Sequence, residues 1–529
     1  MRRRPSLRAL LLPSLAFAAC EPMAKPPPSG PPGYFMSVFV IPEGSQTADD
    51  TVDYGIDLGI PAATGALTRR RERSALPEES PAMRARIAWD KARRDSIDRI
   101  IAAGARRRLL ARPHLAATCA PACDSNTMCW QGHCTAAPTL RAIDNSGDVP
   151  CTLVTVLPAA NAAPINVLLE TAKDSTAARS AAVDAAQKFA QTFPDELALV
   201  GRAGHTGAVD RDGDGRMTVV FADLAAAGAA QGTLLVGLFN PADMMDLGAV
   251  GGNNNVADLL WVAVPDGTTI TSTMAAGTMA HEYVHLSSYA SRVLGMTPPQ
   301  AEALWLDEGL AHLVEDATGW GPSTVRVVEA ALDKWSLAPL TSPDDTSPLR
   351  GTAYLFLRHL LDKKAREAGA TDAASSEART AAAALIGGLL NDPKLGYDHA
   401  VFRTLTPDDV SHWLLGVYAT GNAAVTHDDA HLYDYLPPAA SSVTQNLMGM
   451  APRSSTFRDG TGAVVDLRGP ETDELDNTSP DISDNLNDSG HATFHAMGFD
   501  ARQATLANTT VQPVTGPFLR VVQVEGTPQ

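Results

Sequence analysis

No run of eighteen or more apolar residues follows the N-terminus of this 529-residue chain, so it is not a stack of membrane-spanning helices. An excess of positive charge is also missing. The formal net charge is −18, which argues against a nucleic-acid partner. No segment repeats another, and cysteine is scarce, with six in all. What is present is apolar material for sizeable cores, 45 % of the residues, in a length that calls for about two or three domains.

The first residues have the order of an export signal. Arg2, Arg3, Arg4 and Arg8 surround and precede the apolar run 9–17. Phe17-Ala18-Ala19-Cys20 is similar to a bacterial lipobox, in which the cysteine is lipidated and becomes the first mature residue; Phe17 stands where leucine is usual. Residues 1–19 are therefore expected to be a lipoprotein signal peptide and Cys20 the lipid anchor to a membrane. The expected address is the cell envelope, outer membrane or periplasm, with plain secretion as the alternative. Residues 20–78 read as a tether, proline-rich over 26–32, and a loop-like segment with one short apolar run at 34–41.

Charge is unevenly spread. Between residues 69 and 112, fourteen Lys and Arg face six Asp and Glu, a net +8 that leaves −26 on the rest. Met83, Ile87, Ala88, Ile97, Ile100, Ile101 and Leu109 recur at helical intervals, so residues 79–114 are expected to form a basic helical segment. It is read as a solvated helix, or as a piece that docks on the acidic body and inhibits it. Cys119, Cys123, Cys129 and Cys134 then cluster in a module spanning 115–150, expected to be held by disulfides in an oxidising compartment. Four cysteines allow three pairings, and a zinc knuckle is the competing reading. Cys151 leaves an odd count and is expected as a buried free thiol.

Residues 151–324 read as an α/β zinc-binding subdomain. Strands are expected at 165–169, 217–221, 233–238 and 259–264, and helices at 177–193, 274–294 and 300–318. Residues 325–437 read as a helical subdomain, with helical spacing at 325–335, 351–365, 378–390 and 407–418. Residues 438–529 turn to Thr, Val, Asp, Asn and Gly with short alternating runs at 462–467 and 518–524, the pattern of a β-rich C-terminal domain.

One motif carries chemistry by itself. His281-Glu282-Tyr283-Val284-His285 lies on an expected helix, where residues i and i+4 share a face. Two imidazoles so placed can bind one zinc at about 2.0–2.1 Å. Glu282 stands beside the first of them, where a carboxylate can take a proton from water attacking a peptide carbonyl. A catalytic zinc needs a third protein ligand and one open position. Twenty-three residues past His285, Glu308 stands in the largely apolar helix Trp305-Leu306-Asp307-Glu308-Gly309-Leu310-Ala311 and is the candidate.

Taken together, residues 281–285 and 305–311 resemble the gluzincin clan of metallopeptidases, and the nearest family is the hyicolysin-type peptidases. Further stretches similar to that family are residues 210–224, an Asp-rich turn leading into a strand, and Gly237-Leu238-Phe239 with Asp243. Gly277-Thr278-Met279-Ala280 and residues 351–357 are similar as well. The likeness covers roughly residues 150–420. It implies an α+β fold: a gluzincin (thermolysin-like) catalytic domain of mixed sheet plus helical subdomain, followed by the small β-rich C-terminal domain. It also implies zinc as cofactor, a protein or peptide substrate, and a cleft between the two subdomains.

Related aminopeptidases place a tyrosine near the helix at 351 to stabilise the oxyanion. Here Arg350 and Tyr354 are nearby, and either could donate to the tetrahedral intermediate; Tyr354 is otherwise a core aromatic on an amphipathic helix. His312 and Glu315 share the face of Glu308 and either orient His281 from behind or lie on a partly exposed helix face. Asp307 reads as a supporting or capping carboxylate. Asp210, Asp212 and Asp214, with glycines between and after them, form either a calcium loop or a solvated turn. The twelfth position of an EF-hand loop is Phe221 instead of glutamate, with Asp223 as a nearby substitute. The expected function is a zinc metalloendopeptidase. A zinc aminopeptidase is the first alternative, weakened because no Gly-x-Met-Glu-Asn-like segment lies upstream. A non-catalytic surface binding module is the second.

Overall fold

Strands buried on both faces must be apolar without interruption. Leu259–Ala263 meets that condition and Met217–Ala222 does so apart from Thr218, whose hydroxyl accepts from Asn166, and both become inner strands of the central sheet. The computed structural model describes residues 123–436 apart from 125, 131–132, 144–146, 204–208, 225–234, 246–254, 297–298, 336–337, 343–344 and 421–434. It adds residues 452–458 and 463–470 and the backbone of a few isolated strands. The signal peptide with Cys20, the basic helix expected over 79–114, and Cys119 lie outside the described residues.

In chain order the first strands are β1 (Gly33–Phe39), β2 (Thr51–Asp57) and β3 (Arg69–Arg70). The hairpin of β4 (Met128–Trp130) and β5 (His133–Thr135) follows. Next come β6 (Thr139–Arg141), β7 (Asp148–Ala159) and β8 (Ala162–Glu170). Helix α1 (Thr176–Leu199) leads to β9 (Met217–Ala222), β10 (Gly237–Phe239) and β11 (Leu259–Ala263). The central sheet has the order β10-β11-β9-β8-β7-β6. β8, β9 and β11 run parallel, while β10, β7 and β6 are antiparallel to their neighbours. β6 and the start of β7 precede residue 151, so the sheet begins earlier than the expected boundary. The cysteine module hands its chain directly to the sheet edge.

Helix α2 (Ser272–Tyr289) starts at Thr271, whose side chain accepts from Met274 N at 3.1 Å, and runs into a π-turn at Ala290–Leu294. α1 packs on β7 and β8, α2 packs on β10 and β11, and the two helices pack on each other, so they cover one sheet face. The helical part comprises α3 (Leu304–Glu315), α4 (Gly321–Asp333), α5 (Ser347–Glu367), α6 (Ser376–Asn391), α7 (Ala400–Arg403) and α8 (Pro407–Ala419). Two glycines let these helices approach closely. A Cβ on Gly309 would meet Ala353 Cβ at 2.9 Å, and one on Gly351 would meet Val327 O at 2.0 Å. α5 is thereby clamped between α3 and α4. No described helix is long and apolar enough to cross a membrane.

The remaining strands are β12 (Arg453–Arg458), β13 (Val464–Arg468), β14 (Asp473–Leu475), β15 (Asp481–Asn487), β16 (His491–Ala496), β17 (Thr505–Asn508) and β18 (Phe518–Val524). The β12–β13 hairpin packs on α4. The other five strands share two sheets with the N-terminal ones, ordered β14-β16-β1-β18 and β17-β2-β15-β3. The loop-like reading of residues 20–78 is corrected here: β1 and β2 supply strands to the sheets of the C-terminal region. The architecture as a whole is α+β, with a mixed sheet and several helices.

Candidate metal centre

α2 carries His281, Glu282 and His285, all turned toward α3 and the sheet edge. His281 and Glu282 are buried. One helical turn apart, the imidazoles bring Nε2 to within 3.2 Å of Nε2. Glu308, buried in the middle of α3, completes the triangle: Oε2 lies 3.4 Å from His281 Nε2, and Oε1 lies 3.8 Å from His285 Nε2. A tetrahedral ion with ligands at about 2.0–2.1 Å sets them roughly 3.3–3.4 Å apart, so this spacing suits one ion.

A carboxylate stands behind each imidazole, within hydrogen-bond reach of His285 and just beyond it at His281. Asp307 Oδ2 lies 2.8 Å from His285 Nδ1, and Glu315 Oε2 lies 3.6 Å from His281 Nδ1. Glu315 Oε2 also meets His312 Nδ1 at 3.0 Å and accepts from Thr324 Oγ1 at 3.0 Å. His312 and Glu315 are both buried, so they do not lie on an exposed helix face. A ring nitrogen of His312 comes within 4.8 Å of the ligand atoms of His281 and Glu308, and its Nε2 is buried without a hydrogen-bond partner. His285 Nε2 closes the triangle at 3.2 Å from His281 Nε2 and 3.8 Å from Glu308 Oε1, and His312, whose Nδ1 is engaged by Glu315 and Thr324, stands beside it.

Glu282 is fixed to the sheet. Its Oε2 accepts from Phe239 N, in the edge strand β10, at 2.7 Å. Glu308 is steadied by Arg350, whose Nη1 lies 2.8 Å from Oε2 while Nε and Nη2 grip Asp345 at 2.5 and 2.6 Å. Burial works against charge on Glu308, but Arg350 and the two imidazoles hold it ionised, well below the usual carboxylate range. Burial likewise opposes a charged His281, yet Glu308, Glu315 and Glu282 outweigh it and raise its pKa to about 10. Glu315 is depressed to about 2, because His281 and His312 overcome its burial. Burial lowers the pKa of His312. Behind this shell Glu196 is wholly buried with neither carboxylate oxygen partnered, and burial first, then Glu315, raises its pKa well above normal.

Of its two readings, Tyr354 takes that of a core aromatic. Its hydroxyl donates to Asp316 Oδ2 at 2.9 Å inside a fully buried cluster with Arg358, so it offers nothing to a substrate. Its place on the shared face of α5 is held by Arg350, one turn earlier, whose guanidinium goes to Glu308 and Asp345. Asp210, Asp212 and Asp214 do come together, each offering an oxygen within 4.8 Å of the others. Asp223 does not join them: its carboxylate pairs with Lys173 and its N–H donates to Glu170 Oε2 at 2.7 Å.

Cys123 and Cys134 are joined by a disulfide, and Cys129 is disulfide-bonded as well, so these three are not zinc-knuckle ligands. Cys151 is a buried free thiol. The residues that sequence reasoning passed over, Phe239 with its N–H, Thr324 and Asp345, act through backbone or over distances that no local pattern records. The chain matches no protein-family model, and no curated protein matches it, so the residues and their geometry carry the functional reading.

Proposed function

We propose that the chain is a zinc-dependent metalloendopeptidase of the gluzincin type, similar to the hyicolysin-like family, acting on protein or peptide substrates. The observation that supports it is the convergence of His281 Nε2, His285 Nε2 and the Glu308 carboxylate at 3.2–3.8 Å, with a carboxylate behind each imidazole. Two imidazole nitrogens and one carboxylate are the donor set of a catalytic zinc that keeps a fourth position open. Bound there, zinc supplies a Lewis acid that polarises a carbonyl and acidifies water.

The chain's own residues do the rest. Asp307 and Glu315 hold the tautomers that present Nε2 of each imidazole to the ion. Arg350 keeps Glu308 ionised and in place. Glu282 is the general base: one oxygen is pinned by Phe239 N, and the other is left to take a proton from the attacking water and pass it to the leaving amine. We place the enzyme in the cell envelope, exported by residues 1–19 and anchored through Cys20. The Cys123–Cys134 disulfide supports an oxidising compartment.

The test is zinc content per chain combined with cleavage of a quenched peptide whose N-terminus is blocked. Wild type should hold one zinc and lose activity to a chelator. Glu282→Gln should keep zinc and lose about 10²–10⁴-fold in rate. His285→Ala and Glu308→Ala should lose both. A wild-type rate in Glu282→Gln, or full zinc in Glu308→Ala, overturns the reading. Activity confined to unblocked peptides would make the enzyme an aminopeptidase.

A further inference from the structure

Carboxylates crowd together a second time among the described residues, at the loop that enters β9. Asp210, Asp212 and Asp214 alternate along it, and Gly215 makes the sharp turn with a φ of +74°, a conformation that side chains rarely adopt. Acidic loops of this kind often stand empty in water. Asp258 changes the argument. It immediately precedes β11, the parallel neighbour of β9, and is only 1 % exposed. Its Oδ1 accepts from the backbone N–H of Arg211, which lies between Asp210 and Asp212, at 2.8 Å. Its Oδ2 is buried and has no hydrogen-bond partner.

A buried carboxylate oxygen without a partner costs free energy unless something positive meets it. No ion pair among the described residues reaches any of the four aspartates. Arg216, the nearby cation, gives Nη1 to Thr127 O at 3.1 Å and Asn166 Oδ1 at 3.2 Å, and Nη2 to Cys123 O at 3.4 Å. The bond from Arg211 N holds the Asp258 carboxylate against the loop between Asp210 and Asp212.

We propose that Asp210, Asp212, Asp214 and Asp258 form a structural calcium site, in which Asp258 brings from the neighbouring strand the carboxylate that the loop lacks at Phe221. The donors are all hard oxygens, the set that calcium takes in six- to eight-fold coordination with carbonyls and water filling the remaining positions. The ion joins the loop of β9 to the start of β11. Through Arg216 it also steadies the contact with Thr127 and Cys123 of the disulfide module. The site lies apart from the His281–Glu308 centre and does not depend on the peptidase reading.

The experiment uses the full mature chain, freed of calcium on a chelating resin and resupplied with one equivalent of zinc. Calcium chloride is titrated calorimetrically, and the melting temperature is read with and without it. Wild type should take up one calcium per chain and melt higher when loaded. Asp258→Asn should weaken calcium binding by at least about tenfold, since affinity follows ligand charge. Asp223→Asn should bind as wild type does. Should Asp258→Asn fail to fold, Asp212→Asn on the loop carries the same expectation for binding. A folded wild type that takes up no calcium, or a variant of Asp258 or Asp212 that binds like wild type, overturns the proposal.

Discussion

Replacing Asp307 by asparagine asks whether His285 is held as a ligand or merely packed. His285 Nδ1 lies 2.8 Å from Asp307 Oδ2, with the side chains 13 % and 25 % exposed. A neutral imidazole that donates through Nδ1 presents the Nε2 lone pair to an ion. Asparagine keeps the shape but removes the charge, and its amide can turn either an acceptor or a donor toward the ring. A hydrogen bond to a charged group is worth about 1.5–3 kcal/mol net, and a neutral one roughly half that. The expected loss is therefore about 1–1.5 kcal/mol, or roughly five- to tenfold in zinc affinity. That lies at the lower edge of the about 10–100-fold penalty typical for groups behind metal-ligating histidines. Zinc affinity is read by competition with a fluorescent chelator, and cleavage is normalised to zinc bound. Asp307→Asn should weaken zinc by that factor while turnover per bound zinc stays within a few-fold. Unchanged affinity together with a lowered melting temperature would make Asp307 a packing residue and refute the argument.

Three other outcomes follow from the described structure. Arg358 is fully buried and donates Nε to Asp362 and Nη1 to Asp316, so Arg358→Met strands two buried carboxylates; urea unfolding should show a loss of about 3–5 kcal/mol, and a loss below about 1 kcal/mol would count against it. Burial, then Glu170, pushes the Cys151 thiol up to about 12, so it stays protonated far above neutral pH. It should resist alkylation at pH 8 in the native chain and react once denatured; native labelling would contradict this. Asp266 accepts from the N–H groups of Ile270, Thr268 and Thr269, which depress its pKa to about 2. A depressed acid stabilises the fold above its unfolded pKa and loses that contribution as pH falls through the folded one. The melting difference between wild type and Asp266→Asn should therefore be present at pH 7 and gone near pH 2, and a difference that persists there would refute the assignment.

How much could be read in advance depended on how local the cause was. The helix of His281 and His285 was legible because two histidines four residues apart coincide with helical geometry. Glu308 was legible because a carboxylate amid apolar helix residues needs a reason to be there. Its companions at 312 and 315 followed from the same period. Tyr354 could be read two ways because α5 is buried nearly all round, with Tyr354 and Arg358 both wholly inaccessible. Periodicity cannot say which side of such a helix faces a site. Asp223 is the substitute that closeness in sequence suggests, whereas the sheet carries Asp223 to the far end of β9 and sets β11, which Asp258 precedes, beside it. β2 was taken for loop because its partner β15 lies more than four hundred residues on, and pairing at that range leaves little local trace.

Buried charge in this chain falls into two patterns, and the difference between them bears on function. Around Arg292 and Arg358 each buried carboxylate touches a guanidinium: Glu302 meets Arg292 at 2.5 Å, Asp362 meets Arg358 at 2.9 Å, and Asp316 meets Arg358 at 3.2 Å. Such pairs satisfy themselves and need nothing from outside. On α2 and α3, Glu282, Asp307 and Glu315 contact imidazoles or backbone instead, and Arg350 is divided between Glu308 and Asp345. The excess of negative charge is what draws a proton to His281 despite its burial. A divalent cation would relieve the same excess more fully, since it neutralises two charges and frees both imidazoles to act as neutral donors. Carboxylates gather again at the loop of Asp210, Asp212 and Asp214, with Asp258 against it, and no ion pair among the described residues reaches these four. There no imidazole takes part, so the unmet demand is for a hard, oxygen-seeking ion. The two centres would thus select different metals by donor chemistry alone, nitrogen with carboxylate at one and carboxylate only at the other.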